Sequence, residues 1–177
     1  MPDLALLATV NQHFNRVRFL DDARHWGAED YWATPAEFFA SGEREVAGLM
    51  DQVSRLGIAP ARDVALDYGC GVGRLSRALA ARFGEVLAID HSESMLAEAR
   101  RANAGFGNIR FMRNDGRTLP EIGTESVEFI YSTITLQHVP PDIQRSVIRE
   151  FARVAMTPTP AGASAFRRSG PSLASAM

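Results

Sequence analysis

Val64-Ala65-Leu66-Asp67-Tyr68-Gly69-Cys70-Gly71-Val72-Gly73-Arg74-Leu75-Ser76-Arg77-Ala78-Leu79 is the stretch whose reading decides the fold. A short apolar run with β-branched character gives way to a glycine-rich turn, and then helical spacing resumes with Leu75, Ala78 and Leu79 on one face. The pattern predicts a strand, a tight loop and a helix whose N-terminus points at the loop. Glycines allow positive φ and let a ligand approach without meeting a Cβ. The first N–H groups of such a helix lack intrahelical partners and face an anionic or polar ligand.

Three kinds of glycine loop compete for this stretch. A phosphate-cradling loop ends in Gly-Lys-Ser/Thr, whereas Gly73 is followed by Arg74 and Leu75. A dinucleotide fingerprint, Gly-x-Gly-x-x-Gly, fails in both registers, because Gly69 and Gly71 lead to Arg74 and Gly71 and Gly73 lead to Ser76. What stands here is Asp67-x-Gly69-x-Gly71-x-Gly73, an acid on the strand followed by three alternating glycines. This resembles the first motif of class I S-adenosylmethionine-dependent methyltransferases. The resemblance implies that the loop wraps the methionine end of S-adenosyl-L-methionine, and that Asp67 helps to fix the loop and the cofactor's amino group.

Three further positions follow in order. Glu85-Val86-Leu87-Ala88-Ile89-Asp90 is a continuous apolar run suited to a strand covered on both faces, and Asp90 ends it about twenty residues after the first glycine. A carboxylate there accepts two hydrogen bonds from the vicinal hydroxyls of a ribose. Ser92 is placed to cap a helix with Met95, Leu96, Ala99 and Ala102 on one face, and His91 reads as an exposed loop residue. Ile109-Arg110-Phe111-Met112 is the third strand, followed by Asn114-Asp115-Gly116. By resemblance, Asp115 accepts from the adenine amine and the backbone at Gly116 meets the ring. Val127 to Ser132 is the fourth strand, with Glu128 where the family more often has aspartate. The resemblance places Ser132 at the methionine end, in the stretch lining the methyl-transfer cleft. His138 is the histidine nearest a plausible reaction centre, a candidate general base or a residue holding the cleft floor.

The expected architecture is α/β, a Rossmann-like doubly wound parallel sheet of order 3-2-1-4 in three layers, with right-handed crossovers. Thr34-Pro35-Ala36-Glu37 carries a helix start signal. The stripe of Val46, Leu49, Met50 and Val53 predicts a helix over roughly 44–56, stopped at Gly57. Ile143, Val147, Phe151 and Val154 mark a last helix. Residues 1–33 are expected to be an aromatic, helical segment, from which Tyr31 and Trp32 join Phe38 either in the core or as a lid over the cofactor. Residues 34–155 form the cofactor-binding domain, and 156–177 a low-complexity, disordered tail rich in Pro, Ala, Ser and Gly.

A full-length relative would continue past Val154 into a fifth strand. The change of composition there predicts a truncated or frame-shifted product whose fourth strand is left as an apolar edge prone to self-association. At 177 residues with net charge −2, the chain is one domain with no electrostatic case for nucleic acid or an anionic membrane. Cys70 is the one cysteine, which excludes an internal disulfide and a cysteine-rich zinc site and fits a reducing cytoplasm; no metal is expected. No basic n-region precedes an apolar core, and no run reaches the roughly 18 apolar residues of a membrane span. The expected function is methyl transfer to oxygen or nitrogen of a small molecule. The rivals are a cofactor-binding protein without turnover and, less compatible with the glycine spacing, a nicotinamide oxidoreductase.

Overall fold

A computed structural model describes residues 34–58 and 62–156. The expectations for 1–33, including Tyr31 and Trp32 as lid residues, and for the tail beyond Met156 lie outside the described residues. Strands β1 (Val64–Tyr68), β2 (Glu85–Asp90), β3 (Ile109–Arg113) and β4 (Phe129–Tyr131) alternate with helices α1 (Pro35–Arg55), α2 (Arg74–Ala80), α3 (Glu93–Ala102) and α4 (Pro141–Val154). All strand pairs are parallel and the order is β3-β2-β1-β4, as the resemblance implies.

Parallel strands need cover on both faces. One face of β1 and β2 presents Ala65 and Val86 to Leu75, Ala78 and Leu79 of α2 and to Val46 of α1. Leu96 of α3 joins Ala88 and Cys70. Leu66, Tyr68, Leu87 and Ile89 point the other way, to Ile143, Val147 and Val154 of α4 and to Leu119 and Ile122. The period-two alternation of β1 therefore sorts its side chains between two helical layers, which makes three layers in all.

Two boundaries differ from the sequence expectation. The first helix does not begin near residue 44. It is continuous from Pro35, with Thr34 as its N-cap accepting from the Glu37 N–H at 3.2 Å. Gly42 does not interrupt it, because Gly42 lies against the start of α2, where a Cβ would come within 2.6 Å of the Arg74 carbonyl oxygen. The glycine is kept for a close helix approach, at the cost of some helix propensity. Gly57 ends the helix as expected, with φ 72° and its N–H on the Ser54 carbonyl.

The fourth strand is shorter than residues 127–132. Glu128 turns its carboxylate to the start of β1, accepting from the N–H groups of Asp63 and Val64 at 2.9 and 2.6 Å. Val127 instead bridges in parallel to Ala155, donating to the Val154 carbonyl and accepting from the Met156 N–H. Among the described residues no helix is long and apolar enough to cross a membrane.

Candidate functional site

The carboxyl ends of β1, β2 and β3 bring together the loops that the sequence singled out. Asp67 lies opposite Ala88 of β2 and Tyr131 of β4, and Asp90 closes β2 beside Arg113. The glycine loop folds back over β2, with the N–H groups of Gly69 and Cys70 both on the Ile89 carbonyl. The Gly71 N–H donates to Asp90 Oδ2 at 2.9 Å, and the Ser92 N–H donates to Asp90 Oδ1 at 2.9 Å. Asp90 thus ties the loop to the start of α3. A carboxylate has about four acceptor positions, and these two bonds leave acceptor capacity on it, with His91 Nδ1 standing 3.6 Å from Oδ1.

Asp67 is 2% exposed, beneath the loop rather than in its mouth. Its Oδ2 accepts from Ser76 Oγ at 2.6 Å, which joins the tip of β1 to α2. Burial pushes its carboxyl up to about 6; the Ser76 hydrogen bond pulls it down, and the Asp90 charge adds to the rise. The Ser76 bond ties β1 to the helix that follows the loop. Cys70 is buried, and burial, with Asp67 and Asp90 adding to it, holds its thiol well above the usual range. Such a buried thiol stays protonated and unreactive.

The three glycines are free of side chains for different reasons. A Cβ on Gly69 would overlap the side chain of Thr135, and one on Gly73 would come within 2.6 Å of Asn103 Nδ2 and 3.1 Å of the Phe111 ring. Both positions are closed from inside the protein. A Cβ on Gly71 would meet only the Met95 methyl, at 3.4 Å. Of the three, Gly71 is the glycine beside which the protein leaves room.

Asp115 sits in a turn of its own making. Its Oδ1 accepts from the N–H groups of Arg117 and Thr118 at 2.8 and 3.0 Å, and Asn114 Oδ1 accepts from the Gly116 N–H at 2.7 Å. Partial burial raises the Asp115 carboxyl. The Thr118 and Arg117 N–H groups, the Thr118 hydroxyl and the Arg117 charge together outweigh that and hold it below the usual range. Tyr68 reaches across from β1, its hydroxyl donating to the Gly116 carbonyl at 3.1 Å. Burial, with Asp115 and Asp90 nearby, lifts that phenol to about 12, so it stays a donor. Gly116 has φ 77° and open space where a Cβ would stand. A depression of about 370 Å³ beside it is lined by Arg113, Asn114, Asp115, Thr118, Pro120 and Glu121.

On the other flank, Ser132 Oγ donates to the Tyr68 carbonyl at 2.9 Å, holding the end of β4 to β1. His138 lies in a single 3-10 turn, Leu136–His138, exposed and with its Nε2 3.2 Å from Gln137 Nε2. Phe38 of α1 is buried against Val72 of the glycine loop and Met95 of α3. Arg74 extends this link, pairing with Glu45 at 2.8 Å, and Tyr131 donates to the same carboxylate at 2.7 Å.

Sequence reasoning missed four residues that shape the site. Ser76 is a small polar residue among the buried positions of α2, and Thr135 a hydroxyl in the stretch after β4. Arg74 marks the helix start, and Asn103, read as turn composition, donates through Nδ2 to the Val72 carbonyl at 3.0 Å. Only Ser76 left a signal, as a polar residue inside an apolar helical face.

The chain matches a family model described as "Methyltransferase domain" over residues 65–157, more than half its length. It belongs to that family. It is 36% identical over 93 residues to the malonyl-[acyl-carrier protein] O-methyltransferase of Xylella fastidiosa, covering 51% of this chain and 31% of the relative. It is 32% identical over 146 residues to the ubiquinone biosynthesis O-methyltransferase of Hahella chejuensis, covering 82% of this chain and 58% of the relative. The chain thus spans about a third to three-fifths of these relatives' lengths. A solved structure of phosphoethanolamine N-methyltransferase 1 from Haemonchus contortus, in complex with phosphoethanolamine and S-adenosylhomocysteine, superposes with a TM-score of 0.62. At 17% identity, over 87% of this chain and 31% of that one, this likeness speaks for the fold alone. S-adenosylmethionine is the cofactor of this methyltransferase family. Its residues here fit such a group: Gly71 and Gly116 leave room for it, and Asp90 retains acceptor positions beside the loop.

Proposed function

We propose that the chain binds S-adenosylmethionine across the tips of β1, β2 and β3 and transfers its methyl group to an oxygen or nitrogen nucleophile of a small molecule. The observation that carries this reading is the position of Asp90, which holds the Gly71 N–H at the carboxyl end of β2 and has acceptor capacity left for a ribose hydroxyl. Gly69, Gly71 and Gly73 form the loop, Asp67 fixes it through Ser76, Asp115 and Gly116 take the adenine, and Ser132 takes the methionine end.

The reaction is a displacement at carbon. S-adenosylmethionine, held by the glycine loop, Asp90, Asp115 and Gly116, would supply an electrophilic methyl group: the nucleophile's electron pair would form the new bond to that carbon as the carbon–sulfur pair stayed on sulfur, leaving S-adenosylhomocysteine. The acceptor's proton passes to a base, for which His138 is the candidate. Such a step asks for alignment at about 3–3.5 Å and exclusion of water more than for covalent help. The O-methyltransferases among the relatives support this class, and the difference between the processes their names give leaves the acceptor of this chain open.

A thermal shift on the purified chain with S-adenosylmethionine, S-adenosylhomocysteine and NAD tests the reading, since a ligand of the native state raises the melting temperature. The expected result is a rise with both sulfur nucleosides and none with NAD. A rise with NAD alone, or with none of the three, overturns it.

A further inference from the structure

Tyr68 closes β1 between the buried Asp67 and the first glycine of the loop, with its side chain on the α4 face of the sheet. It is buried, and its ring stands edge-on to Phe151 of α4, with centroids 5.2 Å apart. Phenylalanine would fill that place as well. The hydroxyl is what sets tyrosine apart here, and it donates to the Gly116 carbonyl, 48 residues along the chain, at 3.1 Å.

Gly116 stands at the apex of the turn after β3, and the bonds inside that turn fix its shape without fixing its place. Asn114 Oδ1 accepts from the Gly116 N–H, and Asp115 Oδ1 from the N–H groups of Arg117 and Thr118. The entry is held to the sheet by the Asn114 N–H on the Asp90 carbonyl at 3.1 Å, and the exit to α4 by the Leu119 N–H on Glu150 Oε2 at 2.8 Å. Arg117 reaches Asp142 of α4 at 3.4 Å, an exposed pair of small worth. Among the described residues, the sheet's hold on the apex itself is the Tyr68 hydroxyl. Tyr68 is held in turn from the other flank, where Ser132 Oγ donates to its carbonyl.

We propose that Tyr68 is a positioning residue of the nucleoside site: its hydroxyl sets where Asp115 stands relative to Asp90, and so how strictly the base is read. This rests on the methyl-transfer reading above, in which Asp90 takes the ribose and Asp115 the base. The role needs no contact between Tyr68 and the ligand. A carboxylate accepts from an exocyclic amine only within about 2.7–3.2 Å, so a turn that drifts by about an ångström loses the distinction between an amino and a keto purine. A hydrogen bond to the apex opposes that drift between the two held ends.

The test is calorimetry on the full chain with S-adenosyl-L-homocysteine and its deaminated analogue S-inosyl-L-homocysteine, in which a keto oxygen replaces the amine. The wild type is expected to prefer the amino form by about tenfold or more, the worth of a hydrogen bond to a charged group. Tyr68→Phe keeps the ring on Phe151 and is expected to lose most of that preference, chiefly by binding S-adenosyl-L-homocysteine more weakly. Val147→Ala, which opens the same buried cluster without touching the turn, is expected to melt lower and keep the preference. On an Asp115→Ala background, where the reading group is gone, Tyr68→Phe changes the preference no further. A Tyr68→Phe protein with the wild-type preference overturns the proposal and leaves the methyl-transfer reading standing. So does a wild type that binds both forms alike, an equal loss of preference in Val147→Ala, or a further loss on the Asp115→Ala background. A wild type that binds neither nucleoside removes the reading and the proposal together.

Discussion

The Gly71 N–H meets the Asp90 carboxylate at 2.9 Å, so the residue proposed to hold the ribose also holds in place the glycine proposed to face the ligand. Removing that carboxylate takes away a charge-assisted acceptor for the ligand and loosens the loop together. Asp90→Ala is expected to weaken S-adenosylhomocysteine binding by about 1.5–3 kcal/mol, roughly ten- to a hundredfold. Asp90→Asn retains one acceptor oxygen and falls between the two. Titration calorimetry showing the same affinity for all three proteins would remove Asp90 from the site.

The strands were legible because each apolar run leads into residues that turn the chain, and their order 3-2-1-4 came from the family resemblance. Asp67 leads into Gly69, Asp90 into Ser92, and Arg113 into Asn114-Asp115-Gly116. The layers follow from alternation in β1, where Ala65 and Leu66 face opposite helices. Long-range contacts were not legible. Nothing in the local pattern shows that Gly42 meets Arg74, that Thr135 seats on Gly69 or that Asn103 braces Val72. Spacing identifies a glycine but not which partner excludes its Cβ. For the same reason the sequence could not divide the acids by burial: Asp67 and Asp90 look alike in the chain, yet Asp67 is 2% exposed and committed to Ser76.

Asp67 has a consequence for stability against pH. Its carboxyl is raised by burial to about 6 from the ordinary 3.8, so the folded state favours the protonated form. The contribution is fully present below the unfolded value of 3.8 and is lost as pH rises through about 6. The gap between those two values amounts to roughly 3 kcal/mol as an upper bound. Asp67→Asn has no such dependence. Its stability relative to the wild type is therefore expected to improve by about 1–3 kcal/mol between pH 4.5 and 7.5. Urea unfolding of both proteins at the two pH values measures this, and a difference that stays flat would mean Asp67 is not held in a low-dielectric site.

Helix α1 offers a test by sign. Replacing a helical glycine by alanine ordinarily stabilises by about 0.5–1 kcal/mol. Gly48→Ala is expected to do so, because nothing lies within 4 Å of the new methyl group. Gly42→Ala, six residues earlier in the same helix, is expected to destabilise by about 1–3 kcal/mol, since its methyl would press on the Arg74 carbonyl and stem and push α1 off α2. Thermal unfolding of the two variants should bracket the wild type. Both shifting upward would show that the helices are farther apart than described.

The glycine loop can be taken apart in the same way. Gly69 has φ 81° and its missing Cβ is the seat of Thr135, so Gly69→Ala suffers both a left-handed alanine and a collision with a residue on another loop. Together these are expected to cost about 2–4 kcal/mol of stability. Gly71→Ala, at φ 56° and facing only the flexible Met95 methyl, bears the backbone cost of about 1–2 kcal/mol. Its larger effect should fall on S-adenosylhomocysteine affinity, because the new methyl group projects on the side where the ligand approaches. Thr135→Gly removes the colliding atoms, so the double variant with Gly69→Ala should regain part of the loss, a coupling that a double-mutant cycle reads directly. Thr135→Gly on the Gly71→Ala background has nothing to relieve and should add its own cost unchanged. Recovery in the first pair and strict additivity in the second is the signature of a loop whose first glycine serves the protein and whose second serves the ligand.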